Sequence, residues 1–310
     1  MSEKQKKADT SAVSGILCIN KPQGFTSHDV VNKLRRLYLT KKVGHTGTLD
    51  PMATGVLIVL IGRAVKASEY LMSQKKAYTA GLQLGMTSDT EDSQGVILER
   101  NDNIPKRQEV EAVCKSFVGR LMQTPPMYSA LKVGGKKLVD IARKGEVIER
   151  ESRPIEVYSL DCECVSEEQG RYLLSLECSK GTYVRTLCAD IGRALGCGGL
   201  MYSLERRENC GFSLEDCYTL DHIETLEMAD REKLLVPLER AFADYERLEL
   251  PKFYADLARN GVKLFASKVA ANASHGKRYA VYENGSFFAL AEAFSDSDGQ
   301  LRIKLIKQFS

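Results

Sequence analysis

The chain has no apolar run able to cross a bilayer: the longest, Val56 to Ile61, spans six residues, where a helix needs about twenty. It has no Cys-x-x-Cys, although it holds nine cysteines. Scattered thiols without zinc spacing argue for reduced, mostly buried cysteines in a cytoplasmic protein rather than a disulfide framework or a metal site. Cys162 and Cys164 are the one close pair, placed to share a strand face. There is no Gly-x-Gly-x-x-Gly opening a βαβ unit, no Walker loop, no His-Glu-x-x-His among the four histidines and no Gly-x-Ser-x-Gly elbow. Nucleotide-cofactor, zinc-protease and α/β-hydrolase chemistry therefore have no sequence support. The first fourteen residues are charged and polar without an apolar core, and read as a disordered basic tail rather than a secretory signal.

Ordinary hydrophobic and charged fractions over 310 residues allow a full core and two domains. The net charge of +3 says little, but its distribution says more. Between Val30 and Leu49 lie Lys33, Arg35, Arg36, Lys41, Lys42 and His45, with no acid among them. Such a patch on a near-neutral protein suits a localised polyanion, though a solvated helix face would give the same pattern.

GILCINKP reads as a strand ending at Pro22, and Thr26 with Asp29 has capping-box spacing ahead of an amphipathic helix. VLIVLIG is a buried strand, VKASEYLMSQ a helix, KAYTAGLQLG a strand and EVEAVCKSFVG a helix. The acidic SDTEDSQG lacks the spacing of a calcium loop and reads as a solvent-facing turn. QTPPMYSALKVGGKK reads as irregular. IEVYSLDCECV and RYLLSLECS form a hairpin, and YVRTLCADIGRALG a helix stopped by Gly196. From about residue 250 the texture changes to short strands, with Asn284-Gly285 as a hairpin turn. Strands and helices alternate irregularly, which predicts an α+β fold with a mixed sheet and a small β-rich C-terminal domain.

The stretch VGHTGTLDPMATG, residues 43–55, holds three glycines, three threonines and one carboxylate, Asp50, hard against the buried VLIVLIG. It predicts a shaped loop that pins one acid at the core. Arg185 falls in the first turn of its helix, beside the apolar stripe, where it could pair with a buried carboxylate and keep it ionised, or stand on the surface. Tyr78 alone reads equally as a core or surface aromatic.

Five blocks in order carry a resemblance: GILCINKPQGFTSHDVVNKLRR, VGHTGTLDPMATGVLIVLIGRAVK, KAYTAGLQLGMTSDTEDSQG, TPPMYSALKVGGKKL and CSKGTYVRTLCADIGRALG. Over roughly residues 15 to 210 the chain closely resembles the bacterial TruB family, the tRNA pseudouridine-55 synthases. The C-terminal part resembles that family's PUA-type RNA-binding domain more weakly. The resemblance implies a catalytic domain over residues 15–249 with a thumb-like insertion near 125–150, and a PUA-like domain over 250–310. It implies a monomer acting on the T-arm of tRNA with no cofactor, metal, guide RNA or protein partner.

The same resemblance makes Asp50 the catalytic carboxylate, Tyr78 the residue against the target uracil and Arg185 the partner of the aspartate, with Tyr183 nearby. His45 matches a histidine that helps hold the flipped-out RNA loop, and Lys21 and Lys132 match positions near the RNA. Arg35, Arg36, Lys41 and Lys42 are expected on phosphates, where they position RNA without reading its sequence. Ordering and stacking suits Tyr78 better than base catalysis, because a phenol with a pKa of about 10 is a poor base. Val139 stands where the family often has an aromatic, and LLVPLERAF replaces a commoner Pro-x-Asp pattern. Two rival readings are a tRNA-folding chaperone and the catalytic subunit of a guide-RNA-dependent pseudouridylase; activity on bare tRNA separates them.

Overall fold

A computed structural model describes residues 13–72, 75–129 and 131–309; most of the expected basic tail lies outside them. The first sheet is built from β1 (Gly15–Lys21), β2 (Val43–His45), β3 (Thr54–Ile61), β4 (Lys76–Leu84), β5 (Gly119–Gln123), β6 (Arg153–Ser166), β7 (Arg171–Cys178), β8 (Gly199–Asn209) and β9 (Phe212–Ser213). Its order is β1-β3-β8-β4-β7-β6-β5, with β2 also on β3 and β9 on β8. Every pairing is antiparallel except that of β3 with β8. Helices α1 (Ser27–Leu37), α2 (Arg107–Ser116) and α3 (Val184–Ala194) connect these strands. The second sheet, from β10 (Glu246–Glu249), β11 (Leu264–Phe265), β12 (Arg278–Glu283), β13 (Ser286–Ser295) and β14 (Leu301–Gln308), runs β10-β12-β13-β14-β11. It begins four residues ahead of the change in sequence texture. The α+β, mixed-sheet expectation holds.

Period-2 alternation explains why β1 and β3 are apolar without a break. Leu17, Ile19, Leu57, Val59 and Ile61 face the core that also holds Val30, Val31 and Leu34 of α1 and Leu187 and Ile191 of α3. Ile16, Cys18, Val56, Ile58 and Leu60 face the opposite core, which reaches Ala280, Leu290 and Phe309 of the second sheet through Phe242. All six side chains from Val56 to Ile61 are fully buried, each stabilising by about 1.5–3 kcal/mol. The strand that leaves the Asp50 loop is thus fixed on both faces.

Local rules hold at several places. Thr26 and Asp29 form the reciprocal capping box of α1, and Asn284 and Gly285 adopt positive φ between β12 and β13. Two expectations need correction. The helix read over VKASEYLMSQ is a 3₁₀ turn, Gly62–Ala67, running into a single α turn, Ser68–Leu71. The segment read as irregular, residues 123–137, contains a hairpin of Lys132–Val133 with Lys136–Lys137, and a helix, Leu138–Ala142, follows it directly. Leu138 and Ile141 pack with Met127 in a small cluster of their own, which local composition does not reveal.

Candidate active site

The loop between β2 and β3 carries Asp50 into a cavity of about 650 Å³. Each neighbour of Asp50 is tethered to another element. Thr46 donates its amide to the Ile58 carbonyl and accepts at its hydroxyl from Asn209 Nδ2. The carbonyls of Gly47 and Thr48 accept from Arg206. Leu49 is held at both backbone atoms by the Ser27 hydroxyl, at 2.8 and 3.2 Å. The Pro51 carbonyl accepts from the Gly24 amide and from Lys21 Nζ. A Gly/Thr-rich run would otherwise sample many conformations; here its backbone groups are engaged from outside. The side chain of Asp50 remains 31% exposed to the cavity.

Arg185 enters from the first turn of α3 and is 8% exposed. Its Nη2 lies 3.1 and 3.2 Å from the two carboxylate oxygens of Asp50 and donates to the Tyr128 carbonyl at 2.9 Å. Its Nη1 donates to Asp92 at 3.4 Å. Asp92 lies in the SDTEDSQG segment expected to face solvent; Asp89, Ser93 and Gln94 do so, but Asp92 does not. Its carboxylate accepts from Thr90 Oγ1 and the Gln94 amide, and its backbone bridges Met201 of β8, leaving the residue 5% exposed. Gln123 holds the entry to α3 by bonding both the amide and the carbonyl of Tyr183.

Burial raises the Asp50 carboxyl above the ordinary carboxylate range and Asp92 adds to the rise, while Arg185 and Lys21 pull it back. Tyr78 on β4 lines the cavity and is 8% exposed. Burial pushes its phenol up, and the Arg206 guanidinium within hydrogen-bonding reach opposes this. Tyr78 is accordingly a neutral phenol near pH 7.

The other expected residues divide. Tyr183 lines the cavity. Lys21 does not reach the surface: it is fully buried, donates to the carbonyls of Pro22, Phe25 and Pro51, and burial pushes it down to about 8. Its expected place near the RNA gives way to a tie between β1 and the Asp50 loop, because the short β1-to-α1 turn folds back over its ammonium. His45 lies at the end of β2 with Nδ1 accepting from the Gly47 amide, and burial followed by the nearby Arg206 charge lowers its pKa, keeping it neutral. Arg35 is half-buried and donates to Asn32 and the Val43 carbonyl. Arg36, Lys41, Lys42 and Lys132 are exposed; Lys132 stands on the hairpin of the 125–150 insertion, outside the cavity lining. Among the described residues no cluster could hold a metal ion, and no helix is long and apolar enough to cross a membrane.

A chain of the crystal structure of a Cbf5-Nop10-Gar1 complex aligns over 96% of this chain and 85% of that one, with a TM-score of 0.73 and 25% identity. The archaeal box H/ACA sRNP Nop10-Cbf5 complex aligns with a TM-score of 0.71 at 22% identity over 96% of this chain and 86% of that one. At the level of sequence, residues 35–184 match the TruB family pseudouridylate synthase N-terminal domain, and residues 185–243 the tRNA pseudouridylate synthase B C-terminal domain. Proteins named tRNA pseudouridine synthase B are similar over most of their length. That of Clostridium kluyveri is 40% identical over 89% of this chain and 94% of its own, and that of Halalkalibacterium halodurans 42% over 93% and 95%. The chain belongs to the TruB family of pseudouridylate synthases.

Proposed function

We propose that this enzyme isomerises uridine 55 in the T-loop of tRNA to pseudouridine, with Asp50 as the catalytic carboxylate, and needs neither guide RNA nor protein partner. The observation that carries the reading is the Asp50–Arg185 pair at the wall of a nucleotide-sized cavity, in a chain of this family. The reaction breaks the N1–C1′ bond, turns the uracil and rejoins it through C5; C5 gives up its proton and the freed N1 takes one up, so nothing is gained or lost overall. Atoms and electrons balance within the nucleotide, so one carboxylate can serve by adding covalently to the base or the sugar, or by removing the sugar 2′ proton. A stacked uridine is out of reach, so the nucleotide must be flipped into the cavity.

Each side chain then has a role that its surroundings support. Arg185 opposes the rise that burial imposes on Asp50 and keeps the anion available. Tyr78, a neutral phenol on a rigid strand, stacks on the base rather than taking its proton. Tyr183 closes the other side of the cavity, and His45 supports the loop beneath it. Arg36, Lys41, Lys42 and Lys132 meet phosphates, while Arg35 and Lys21 hold backbone. The second sheet provides a further RNA surface of PUA type. Stand-alone action accords with the likeness over nearly full length to the relatives named tRNA pseudouridine synthase B. The test is tritium release from C5-labelled uridine in an unmodified tRNA transcript, followed by mapping of the product. Release by the wild type alone, at position 55, is expected. No release despite tight tRNA binding would favour a chaperone or guide-dependent role.

A further inference from the structure

Arg206 is the largest fully buried side chain in the described residues, and among those residues it pairs with no carboxylate. All three of its nitrogens go to backbone carbonyls: Nε to Val56 at 2.7 Å, Nη1 to Thr48 at 3.4 Å and Nη2 to Gly47 at 3.1 Å. It sits at the middle of β8, opposite Gly55 on the parallel partner β3 and opposite Tyr78 on the antiparallel partner β4. Gly55, at φ +99°, makes that approach possible, since a Cβ there would come within 2.3 Å of the Arg206 carbonyl oxygen. Three residues on, past an irregularity in the pairing with β4, Asn209 of the same strand is fully buried and donates to Thr46 Oγ1 at 3.2 Å. A lone guanidinium taken out of water costs several kcal/mol, and apolar residues could fill the same volume. The cost is offset only by what it holds, which is the carbonyls of Gly47 and Thr48 in the Asp50 loop and of Val56 in the strand that follows.

We propose that Arg206 and Asn209 are positioning residues for the isomerisation, clamping residues 46–48 so that Asp50 meets the flipped nucleotide at a fixed point, with the same guanidinium orienting the Tyr78 hydroxyl. This rests on the synthase reading above. The clamp fixes the carboxylate without touching it: Arg185 sets the charge of Asp50, and β8 sets its place. Lysine at 206 would keep the charge but could not span three carbonyls, because its ammonium is a point donor where the guanidinium is a planar fork.

The experiment is single-turnover tritium release at saturating enzyme, with tRNA affinity measured separately by filter retention, on the full chain. Arg206→Lys is expected to slow the saturated rate about a hundredfold, the scale of an ångström's misplacement, and Asn209→Ala about tenfold, with the tRNA Kd of each within about threefold of wild type. Arg206→Lys combined with Tyr78→Phe is expected to cost less than the sum of the two, because one change removes what the other acts through. A saturated rate within threefold of wild type for Arg206→Lys, or a loss confined to Kd, overturns the proposal. Should Arg206→Lys fail to fold, Asn209→Ala decides: an unchanged saturated rate overturns the clamp. A wild type that releases no tritium would instead refute the synthase reading itself.

Discussion

The loop over residues 46–51 and the insertion over residues 125–150 face the same cavity but are built in opposite ways. The loop has almost no apolar side chains to bury, yet Lys21, Ser27, Arg206 and Asn209 reach in from three elements to engage its backbone and the Thr46 hydroxyl. The insertion has a core, but a private one of Met127, Leu138 and Ile141. Arg185 ties it to the rest through the Tyr128 carbonyl, while Arg150 on the Pro125 carbonyl, and Thr124 with Ser152 just outside it, join its two ends to each other. Beyond them Lys132, Gly134, Gly135 and Lys136 are exposed. A carboxylate that must meet one atom is held by directional bonds. If the segment over residues 125–150 follows a folded RNA, as proposed, it does so on non-directional packing, with Arg185 linking the two.

The comparison breaks most sharply at Asp50. Asp50→Asn should lower the saturated rate roughly 10⁴-fold or more, the scale seen when a group essential to the chemistry is removed, while tRNA affinity stays within a few-fold. Thermal melting should show no loss of stability. A carboxyl whose pKa is raised by folding binds its proton more tightly when folded, so its contribution is most favourable below the unfolded value and worsens as pH rises through the folded one. A neutral amide removes that cost at pH 7. Wild-type turnover by this variant would remove Asp50 from the chemistry.

Arg185→Gln comes next, with an expected fall of about 10²–10³ in rate and a distinctive pH signature. If activity needs the Asp50 anion, as proposed, the wild-type rate should fall with decreasing pH along a limb above the range of a free aspartate. Removing the guanidinium that draws the carboxyl down moves that limb to higher pH. A rate–pH profile unchanged in position would show that Arg185 does not govern the charge of Asp50.

How much of this was legible depended on how local each signal was. The loop around Asp50, the capping box of α1 and the Asn284-Gly285 turn are written in adjacent residues and read directly. Arg185 could be suspected, since it falls beside an apolar helix stripe. Asp92 could not: its immediate neighbours are acidic and polar, and what buries it is Met201 and Arg185, about a hundred positions away. Lys21 misled for the same reason, because its acceptors come from a turn that closes over it. Arg206 stands in LERREN, which looks like a charged surface strand. Strand alternation offered one clue: Arg206 shares a face with the buried Leu204, whereas Arg207 does not.

Leu138→Ala sharpens the other side of the comparison. Leu138 is fully buried in a cluster of few members, and truncation there costs about 2–5 kcal/mol, more than so small a core can absorb. The segment over residues 125–150 should loosen while the three larger cores hold. KM for tRNA should then rise more than kcat falls, and the main melting transition should move little. A fall in kcat equal to that of Arg185→Gln would mean that the insertion fixes the reacting groups after all.

The smallest effect belongs to the exposed cations that belong to neither region. Arg36 lies in the last turn of α1, where its side chain is free of ion pairs among the described residues while Lys33 is committed to Glu224 at 2.7 Å. If Arg36 meets a phosphate, Arg36→Ala should weaken tRNA binding only a few-fold and leave the saturated rate alone. It should also reduce the slope of log Kd against log salt by about one, since one fewer counterion is released. Affinity loss without any change of slope would place Arg36 in a shape contact instead, and the polyanion patch would then begin beyond α1, at Lys41 and Lys42.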